Sequence, residues 1–241
     1  MDRDSEASDG MDVVRRLRRL DACAVSDALD RLNLKGVISG VPQQSGEGRI
    51  AGRVITVKLG VGAAPGGLAA HSTTGAQSAP GGKPRHLGTQ AVELAGPADI
   101  IVIEQHANPE AGSWGGLLSL GATVRGVAGV IADGPVRDID EARALQFPVF
   151  SRALTAKTAR GRIVELGTNV PVVFEGVAVN PGDYAIADSS AVIFIAANDI
   201  GRVLDAAEAI AAKEAAMANA LRAGEPIGTV MGGNYEHMLK D

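Results

Sequence analysis

The chain has 241 residues, of which 46% are hydrophobic, 21% are charged and only 3% are aromatic. This composition excludes a disordered or collagen-like polypeptide and indicates one large or two small globular domains. The formal net charge of −5 argues against nucleic acid as the main partner, because phosphate binding needs a concentrated basic face. The single cysteine, Cys23, can form neither an internal disulfide nor a zinc cluster.

The first ten residues (MDRDSEASDG) are acidic and lack the basic start and apolar run of a signal peptide. We therefore predict a disordered tail over residues 1–10 and a single domain over residues 11–241. No apolar stretch approaches the roughly 20 residues that a bilayer-spanning helix needs. We expect a cytoplasmic protein without a membrane partner.

In the first quarter of the chain, the helical spacing of apolar residues predicts two short helices between residues 11 and 32, with Ser26 as N-cap of the second. Residues 51–59 (AGRVITVKL) are rich in β-branched side chains and predict a strand. The stretch from Gly60 to Gln90 consists mainly of small residues and proline. A loop of this length is usually functional or mobile.

The middle of the chain predicts a βαβ unit. Residues 99–104 (DIIVIE) and 127–132 (VAGVIA) are nearly all apolar, as in strands buried on both faces, and residues 115–125 between them are helical. Such a unit is expected to be parallel and right-handed. The elements predicted after it are a short helix (140–145), a strand (148–150), antiparallel strands (162–166, 170–179, 184–187, 191–195) and a C-terminal helix (199–221).

The strongest local signal for chemistry is the predicted strand ending at Asp133, followed by a Gly134-Pro135 turn and the pair Arg137-Asp138. Ligands of open α/β sheets collect beyond the carboxyl ends of strands. An arginine can fork onto a carboxylate, and an aspartate can hold a hard divalent cation directly or through water. A solvated surface ion pair is the alternative.

A second signal is the predicted helix start Trp114-Gly115-Gly116-Leu117-Leu118. Backbone N–H groups at a helix N-terminus form a ready anion site. Alternatively, the two glycines only let the helix approach the sheet closely.

The C-terminal helix carries one anomaly. Glu214 falls on its apolar stripe, where a carboxylate is costly unless it is paired or bound to a cation. Alternatively, Glu214 reaches solvent near the helix end or pairs with a surface arginine.

The segment GSWGGLLSLGATVRGVAGVIADGPVRDIDEA resembles the signature of the class II, metal-dependent 4-hydroxy-4-methyl-2-oxoglutarate and 4-carboxy-4-hydroxy-2-oxoadipate aldolases. The resemblance extends to VSDALDRL, GRIAGRVITV, PADIIVIE, PVF, VNPGDYAIAD and the KE of the last helix. The same family includes the regulator of ribonuclease E activity and members labelled demethylmenaquinone methyltransferases. The resemblance implies an α/β, three-layer swivelling β/β/α domain with a mixed sheet, helices at both termini and a homotrimeric or hexameric assembly.

The resemblance also implies roles for particular residues. Arg137 corresponds to the arginine that holds the carboxylate and keto oxygen of a pyruvate unit, and Asp138 to the aspartate that anchors Mg²⁺ or Mn²⁺. The backbone amides of residues 115–118 correspond to those that bind the pyruvate carboxylate. Glu214 corresponds to a glutamate donated toward the metal from a neighbouring subunit.

One position departs from the family pattern. The resemblance implies an acid, involved in proton transfer, 21 residues before Arg137, and this chain has Gly116 there. Glu104, Glu110, Asp133 or a metal-bound water are the alternative proton-transfer groups.

The long small-residue segment contains His71, Lys83, Arg85 and His86, which could meet a distal carboxylate of the substrate. A mobile surface segment without such a role is the alternative. Arg85, His86 and Asp133 are therefore accessory candidates.

The expected function is a divalent-metal-dependent lyase that cleaves a 4-hydroxy-2-oxo acid to release pyruvate, decarboxylates oxaloacetate, or does both through one enolate. Its substrate would be a small 2-oxo acid with an extra carboxylate. The alternatives are a non-catalytic ribonuclease-regulator-like binding protein or another enolate reaction on a related oxo acid.

Overall fold

A computed structural model describes residues 3–62, 86–105 and 110–232, with side chains from Gly10 onward. Within these ranges the helices are α1 (Arg3–Leu17), α2 (Ala22–Arg31), α3 (Thr89–Leu94), α4 (Gly116–Val124), α5 (Ile139–Ala144), α6 (Ile200–Arg222) and α7 (Ile227–Val230). The strands are β1 (Val37–Ile38), β2 (Gln43–Ser45), β3 (Ile50–Val61), β4 (Ile100–Glu104), β5 (Gly129–Val136), β6 (Val149–Leu154), β7 (Ile163–Thr168), β8 (Val172–Phe174), β9 (Val177–Val179), β10 (Tyr184–Ala187) and β11 (Val192–Ile195).

The large mixed sheet has the strand order β1-β11-β10-β3-β4-β5-β6-β2. Strands β3, β4, β5 and β6 are parallel to one another, while β2 joins β6 in antiparallel orientation. The long strand β3 pairs with β10 along its first half and with β7 along its second half, both antiparallel. These pairings confirm the predicted α/β class with a mixed sheet and helices at both chain ends.

The predicted βαβ unit is present as β4, α4 and β5. Its two strands are parallel, with Ile100 opposite Gly129. All five residues of β4 are buried, as expected of a strand covered on both faces. The unit places the start of α4 close to the carboxyl end of β5.

Three clusters of buried side chains form the core. Helices α3, α4 and α5 cover one part of the sheet around Trp114 and Phe147, whose rings stack at 6.2 Å. Helices α1, α2 and α6 cover β10 and β11 with aliphatic residues such as Leu204. The third cluster joins the β8–β9 hairpin to the sheet through Phe174 and Phe194.

Two predictions near the N-terminus need correction. Helix α1 begins at Arg3 rather than at Met11, because the polar start of the helix carries no apolar periodicity to detect. Helix α2 is capped by Asp21 and not by Ser26: the Asp21 carboxylate accepts a hydrogen bond from the N–H of Ala24 at 2.8 Å. The division into a tail over residues 1–10 and a domain over 11–241 stays a prediction.

The predicted end of the strand at Asp133 and the Gly134-Pro135 turn are also wrong. Strand β5 continues through Pro135 to Val136. Its register against β6 shifts between Ala132 and Pro135, and such an irregularity accommodates a proline within a sheet. A Cβ on Gly134 would lie 2.3 Å from the Oε1 atom of Gln105, so close packing explains this glycine.

No helix within the described ranges has both the length and the apolar character to cross a bilayer.

Candidate active site

The site is built where the chain before α4 runs beside the end of β5. The Ser113 N–H donates to the Pro135 carbonyl at 2.9 Å, and the Arg137 N–H donates to the Trp114 carbonyl at 3.0 Å. The Ser113 hydroxyl also donates to the Pro135 carbonyl, at 3.1 Å. These backbone contacts bring the first residues of α4 next to the Arg137-Asp138 pair, which lies far along the sequence from them.

Glycines make this close approach possible. A Cβ on Gly112 would lie 2.7 Å from Cγ of Arg137, and a Cβ on Gly115 would lie 2.9 Å from Oδ2 of Asp138. A Cβ on Gly116 would lie 3.2 Å from Cβ of Glu141. The glycines therefore accommodate the Arg137-Asp138 turn and the start of α5, rather than the sheet.

Asp138 has a left-handed backbone, with φ 53° and ψ 42°, at the position that caps α5. A non-glycine residue rarely adopts this conformation, and such strain concentrates at functional sites. Its Oδ1 accepts a hydrogen bond from Nε of Arg137 at 3.0 Å, and its Oδ2 accepts one from the N–H of Gly116 at 3.2 Å. Both side chains remain about one-third exposed, at 35% for Arg137 and 34% for Asp138.

The start of α4 supplies further donors. The N–H groups of Leu117 and Leu118 lie in its first turn, where they have no acceptor within the helix. The N–H of Ser119 is already bonded to the Gly115 carbonyl at 3.0 Å. Leu117 and Leu118 line the same cleft as Arg137, so two backbone donors at the positive end of the helix dipole are available to an anion there.

A cleft of about 220 Å³ opens over these groups. Its near wall is formed by residues 112–118 together with Arg137 and Asp138. Trp114 is 2% exposed, and its indole N–H donates to the Ser119 hydroxyl at 2.9 Å, so this wall is fixed by core packing. The cleft is therefore a preformed space in which a small anion would contact the predicted site residues.

The far wall was not predicted as a unit. It is formed by residues just before and at the start of α3, by the loop that joins β6 to β7, and by the start of β7. Its polar members are His86, Gln90, Thr158, Arg160 and Glu165. The Glu165 carboxylate is buried, accepting from the Gly88 N–H at 2.7 Å and from the Thr168 hydroxyl. The only sequence signal for this wall is the basic run between residues 157 and 162.

Comparison with known proteins decides the family. The sequence profile of the RraA-like family, described as Aldolase/RraA, matches residues 22–194. The chain belongs to the RraA-like family. This confirms the resemblance drawn from the central motif.

Two relatives match different shares of the chain. An uncharacterized protein of Methanocaldococcus jannaschii is 36% identical over 51% of this chain and 58% of its own length, so the match spans little more than half of that relative. A putative 4-hydroxy-4-methyl-2-oxoglutarate aldolase of Halalkalibacterium halodurans is 29% identical over 82% of this chain and 83% of its own length.

Two crystal structures share the fold. That of an uncharacterized protein from Pseudomonas syringae pv. tomato has a TM-score of 0.77 at 22% identity, covering 92% of this chain and 98% of its own. That of Streptomyces coelicolor RraAS2, described as an unusual member of the RNase ES inhibitor RraA protein family, has a TM-score of 0.68 at 21% identity. It covers 81% of this chain and 91% of its own.

The predicted accessory residues of this RraA-like chain differ in whether the structure places them at the cleft. His86 lines the cleft, whereas Arg85, His71 and Lys83 lie outside the described residues. The Asp133 carboxylate does not line the cleft and accepts a hydrogen bond from the Gln105 N–H at 2.5 Å.

The other two acids considered for proton transfer also lie away from the cleft lining. Glu104 is buried in β4 and accepts from the Val173 N–H at 2.7 Å. Glu110 pairs with Lys157, which lowers the pKa of Glu110 together with a hydrogen bond from Thr155. Each acid is thus already engaged in a structural contact.

Glu214 lies half-buried on α6 and does not line the cleft of its own chain. Burial raises its pKa, and the nearby carboxylates of Asp21 and Asp27 raise it further. No arginine pairs with Glu214 among the described side chains, in contrast to the alternative in which a surface arginine neutralises it.

Within the described ranges, no three His, Cys, Asp or Glu side chains cluster as a metal-binding group. Asp138 instead offers one partly exposed carboxylate at an open cleft. Magnesium keeps several waters and commonly binds through one or two carboxylates and the substrate, so this donor set fits Mg²⁺ or Mn²⁺.

Proposed function

We propose that this RraA-like chain is a divalent-metal-dependent carbon–carbon lyase that releases pyruvate from a 4-hydroxy-2-oxo acid, decarboxylates oxaloacetate, or does both. The observation that carries the proposal is the meeting of Arg137, Asp138 and the start of α4 in one cleft. The relatives named putative 4-hydroxy-4-methyl-2-oxoglutarate aldolases support the same class of reaction.

The near wall suits the 2-oxo carboxylate end of such a substrate. Nε of Arg137 donates to Asp138, which leaves the two terminal nitrogens of the guanidinium for the substrate. A guanidinium fork matches a carboxylate or a carboxylate–keto pair. The N–H groups of Leu117 and Leu118 provide further donors to the carboxylate.

Asp138 is the residue that would hold the divalent cation. Its two oxygens each accept one hydrogen bond and each keep a second lone pair. When bound, the cation would supply Lewis-acid polarisation of the keto oxygen. A second carboxylate, Glu214 from a neighbouring subunit, would complete the site. Burial and the nearby carboxylates of Asp21 and Asp27 raise the pKa of Glu214, and a bound cation would offset this cost.

The reaction needs a place for negative charge. As the C3–C4 bond breaks, its electron pair moves through C3 and C2 onto the keto oxygen, which gives the enolate of pyruvate. The 4-hydroxyl becomes a carbonyl as its proton passes to water in the open cleft, and the enolate then takes up a proton at C3. In oxaloacetate the C3–C4 bond breaks with release of CO₂ and the same enolate. Arg137, positioned before the reaction by Asp138 and Trp114, would stabilise this charge.

We also propose a homotrimer or hexamer. Three apolar side chains on the outer face of α4 are exposed: Leu117 at 86%, Leu120 at 46% and Val124 at 79%. Such a stripe is typical of a surface covered by another chain. Light scattering would test the assembly, and a monomer would remove the route by which Glu214 reaches a second site.

The function is tested by a coupled assay for pyruvate release from oxaloacetate and 4-hydroxy-2-oxo acids, with Mg²⁺, with Mn²⁺ and with EDTA. Asp138→Asn should lower metal-dependent kcat/KM by about a thousandfold or more. Asp140→Asn is the matched control, because Asp140 is exposed, pairs with Arg143 and does not line the cleft. Equal turnover of Asp138→Asn and wild type would refute the proposed mechanism.

Gly116 favours a second candidate, a non-catalytic ribonuclease-regulator-like binding protein, or an altered enolate reaction. Absence of turnover on the whole panel, combined with inhibition of a ribonuclease, would support the binding function. Gly116→Asp then separates a lost acid from a different chemistry. The new Cβ would have to displace the side chain of Glu141 by a few tenths of an ångström, and a gain of pyruvate release would identify the missing acid as the reason for inactivity.

A further inference from the structure

One cationic side chain of the far wall, Arg160, has no role in the chemistry proposed for the near wall. Arg160 lies on the loop between β6 and β7, residues 155–162, and lines the cleft. This loop (TAKTARGR) contains three basic residues and no acid, in a chain whose formal net charge is −5. Such a local concentration of positive charge raises the local concentration of anions.

The three basic side chains of the loop differ in their partners. Lys157 forms an ion pair with Glu110, and Nη1 of Arg162 donates to the Thr158 carbonyl at 3.1 Å. Among the described residues, the guanidinium of Arg160 has neither an acid partner nor a side-chain hydrogen bond. Lys157 and Arg162 are also absent from the cleft lining, so Arg160 is the loop cation that a ligand in the cleft would meet.

The loop is fixed to the near wall by its backbone. The Thr155 N–H donates to the Val136 carbonyl at 2.9 Å, directly before Arg137. The Gly112 N–H donates to the Lys157 carbonyl at 2.9 Å. The backbone of the loop that carries Arg160 is therefore held by the same segments that position Arg137 and Asp138, as recognition of two groups on one substrate requires.

The other charged groups of the far wall do not oppose an anion at Arg160. Glu165 is 5% exposed, and its oxygens are directed to the Gly88 N–H and the Thr168 hydroxyl. His86 and Gln90 line the same side and can donate hydrogen bonds. The cleft lining also includes the apolar side chains of Leu87, Leu118 and Ile163.

We infer that Arg160 determines specificity by binding a second carboxylate, at the end of the substrate remote from the 2-oxo acid group. The inference rests on the proposed function, because it assumes that the 2-oxo carboxylate occupies the wall of Arg137 and α4. The extra carboxylate already expected of the substrate would then be held by this one residue. A monocarboxylic 2-oxo acid would leave the Arg160 guanidinium without a partner.

The kinetic test compares 4-hydroxy-4-methyl-2-oxoglutarate, which has the remote carboxylate, with 4-hydroxy-2-oxopentanoate, which has a hydrogen atom in its place. Arg160→Gln should raise KM for the dicarboxylate about tenfold and change kcat less than about twofold, as expected for loss of a charge-assisted hydrogen bond at an exposed site. KM for the monocarboxylate should change less than about twofold. Arg160→Lys should fall between wild type and Arg160→Gln for the dicarboxylate, because it keeps the charge but loses the fork.

Arg162→Gln is the matched control, since it removes the same charge from the same loop without touching the cleft lining. It should leave the preference for the dicarboxylate as in wild type. If Arg160→Gln and Arg162→Gln had equal effects, general electrostatic attraction rather than binding at Arg160 would explain the preference, and the inference would be wrong. Equal effects of Arg160→Gln on both substrates, or none on the dicarboxylate, would overturn it.

Equilibrium binding separates this inference from the proposed reaction. Calorimetry with 2-oxoglutarate and 2-oxopentanoate in the presence of Mg²⁺ compares two five-carbon 2-oxo acids that differ only in the remote carboxylate. If wild type turns over none of the assayed substrates, the lyase function fails. An Arg160-dependent preference of about tenfold for 2-oxoglutarate would still support the recognition site, and equal binding of the two acids would refute it.

Discussion

The cleft and the layer of terminal helices are built by opposite means. At the cleft, glycines and backbone hydrogen bonds hold charged groups in place: Gly112 and Gly115 lie against Arg137 and Asp138 with no room for a Cβ. In the layer formed by α1, α2 and α6, buried aliphatic side chains make the contacts and charges lie at the rim. Backbone positions should therefore control activity at the cleft, whereas side-chain volume should control stability in the terminal layer.

The charged groups of the two regions also differ in whether they are available to a ligand. Arg137 and Asp138 are both about one-third exposed and open to a ligand. At the rim of the terminal layer, Arg16 of α1 pairs with Asp205 and Glu208 of α6, so its charge is already neutralised. We therefore expect substitutions at the cleft to leave stability nearly unchanged, and substitutions in the terminal layer to leave activity nearly unchanged.

The largest effect on stability is expected from Leu204→Ala in α6. The Leu204 side chain is fully buried among α1, α2 and the sheet, so truncation should lower the free energy of unfolding by about 2–5 kcal/mol. Urea denaturation would measure the loss, and kcat/KM per folded molecule should stay within about twofold of wild type. Leu221→Ala on the same helix is the control, because Leu221 is 38% exposed and should cost less than about 1 kcal/mol. If Leu204→Ala also lowered kcat/KM clearly below that of wild type, the two regions would be coupled.

Gly115→Ala should lower activity and leave stability nearly unchanged, the reverse of Leu204→Ala. The new Cβ would lie 2.9 Å from Oδ2 of Asp138, and the carboxylate has to move from its contacts with Arg137 and Gly116. Steady-state assays should show kcat/KM reduced by about ten- to a hundredfold, because small displacements of reacting groups are costly. The free energy of unfolding should change by less than about 1 kcal/mol.

Gly201→Ala is the control for this substitution. Gly201 lies in α6, and no neighbouring atom lies within 4 Å of the position of a Cβ. Alanine there should stabilise the helix by roughly 0.5–1 kcal/mol and leave activity unchanged. Unchanged activity in Gly115→Ala as well would mean that the position of the Asp138 carboxylate is not critical.

Much of the fold could be predicted from periodicity, because β3, β4 and β5 are long or wholly buried strands and α6 is a long amphipathic helix. Short elements such as β1, with two residues, contain too few positions for a pattern. The strand end was misplaced because Gly134 and Pro135 resemble a turn, whereas the close contact with Gln105 that requires the glycine arises only in the folded chain.

The two halves of the cleft were unequally predictable. Arg137, Asp138 and the glycines of α4 belong to one contiguous motif, so the near wall was visible in the sequence. Glu165 and Arg160 join it only because β7 pairs with β3 and the loop before β7 bonds to Gly112. These long-range pairings leave no periodic signal in a single sequence.

Substitutions that remove a charge on α6 should have smaller effects on the free energy of unfolding, and the direction of each pKa shift gives the sign. Burial, followed by the charges of Asp21 and Asp27, raises the pKa of Glu214 above its ordinary value. A raised carboxyl pKa destabilises the fold at neutral pH, and this cost disappears as the pH falls through the folded-state pKa. In EDTA, Glu214→Gln should therefore increase the free energy of unfolding at pH 7 by up to about 1 kcal/mol. A decrease in EDTA would show that a cationic group already compensates the carboxylate; a decrease confined to Mg²⁺ buffer would support its role at a metal site.

The opposite sign is expected at Glu208, which lies nearer the N-terminus of the same helix. There the hydrogen bond from Arg16 lowers the pKa of the carboxyl group. A lowered carboxyl pKa contributes stability that is fully present above the unfolded-state pKa and is lost as the pH falls through the folded-state pKa. Glu208→Gln should lower the free energy of unfolding at pH 7 by less than about 1 kcal/mol, because the pair is partly exposed and screened by salt. Thermal melts from pH 7 to pH 3 should show the difference from wild type shrinking toward zero. Glu225→Gln, which removes an exposed glutamate outside the described ion pairs, should show no such dependence, and a pH-independent loss in Glu208→Gln would instead indicate lost packing.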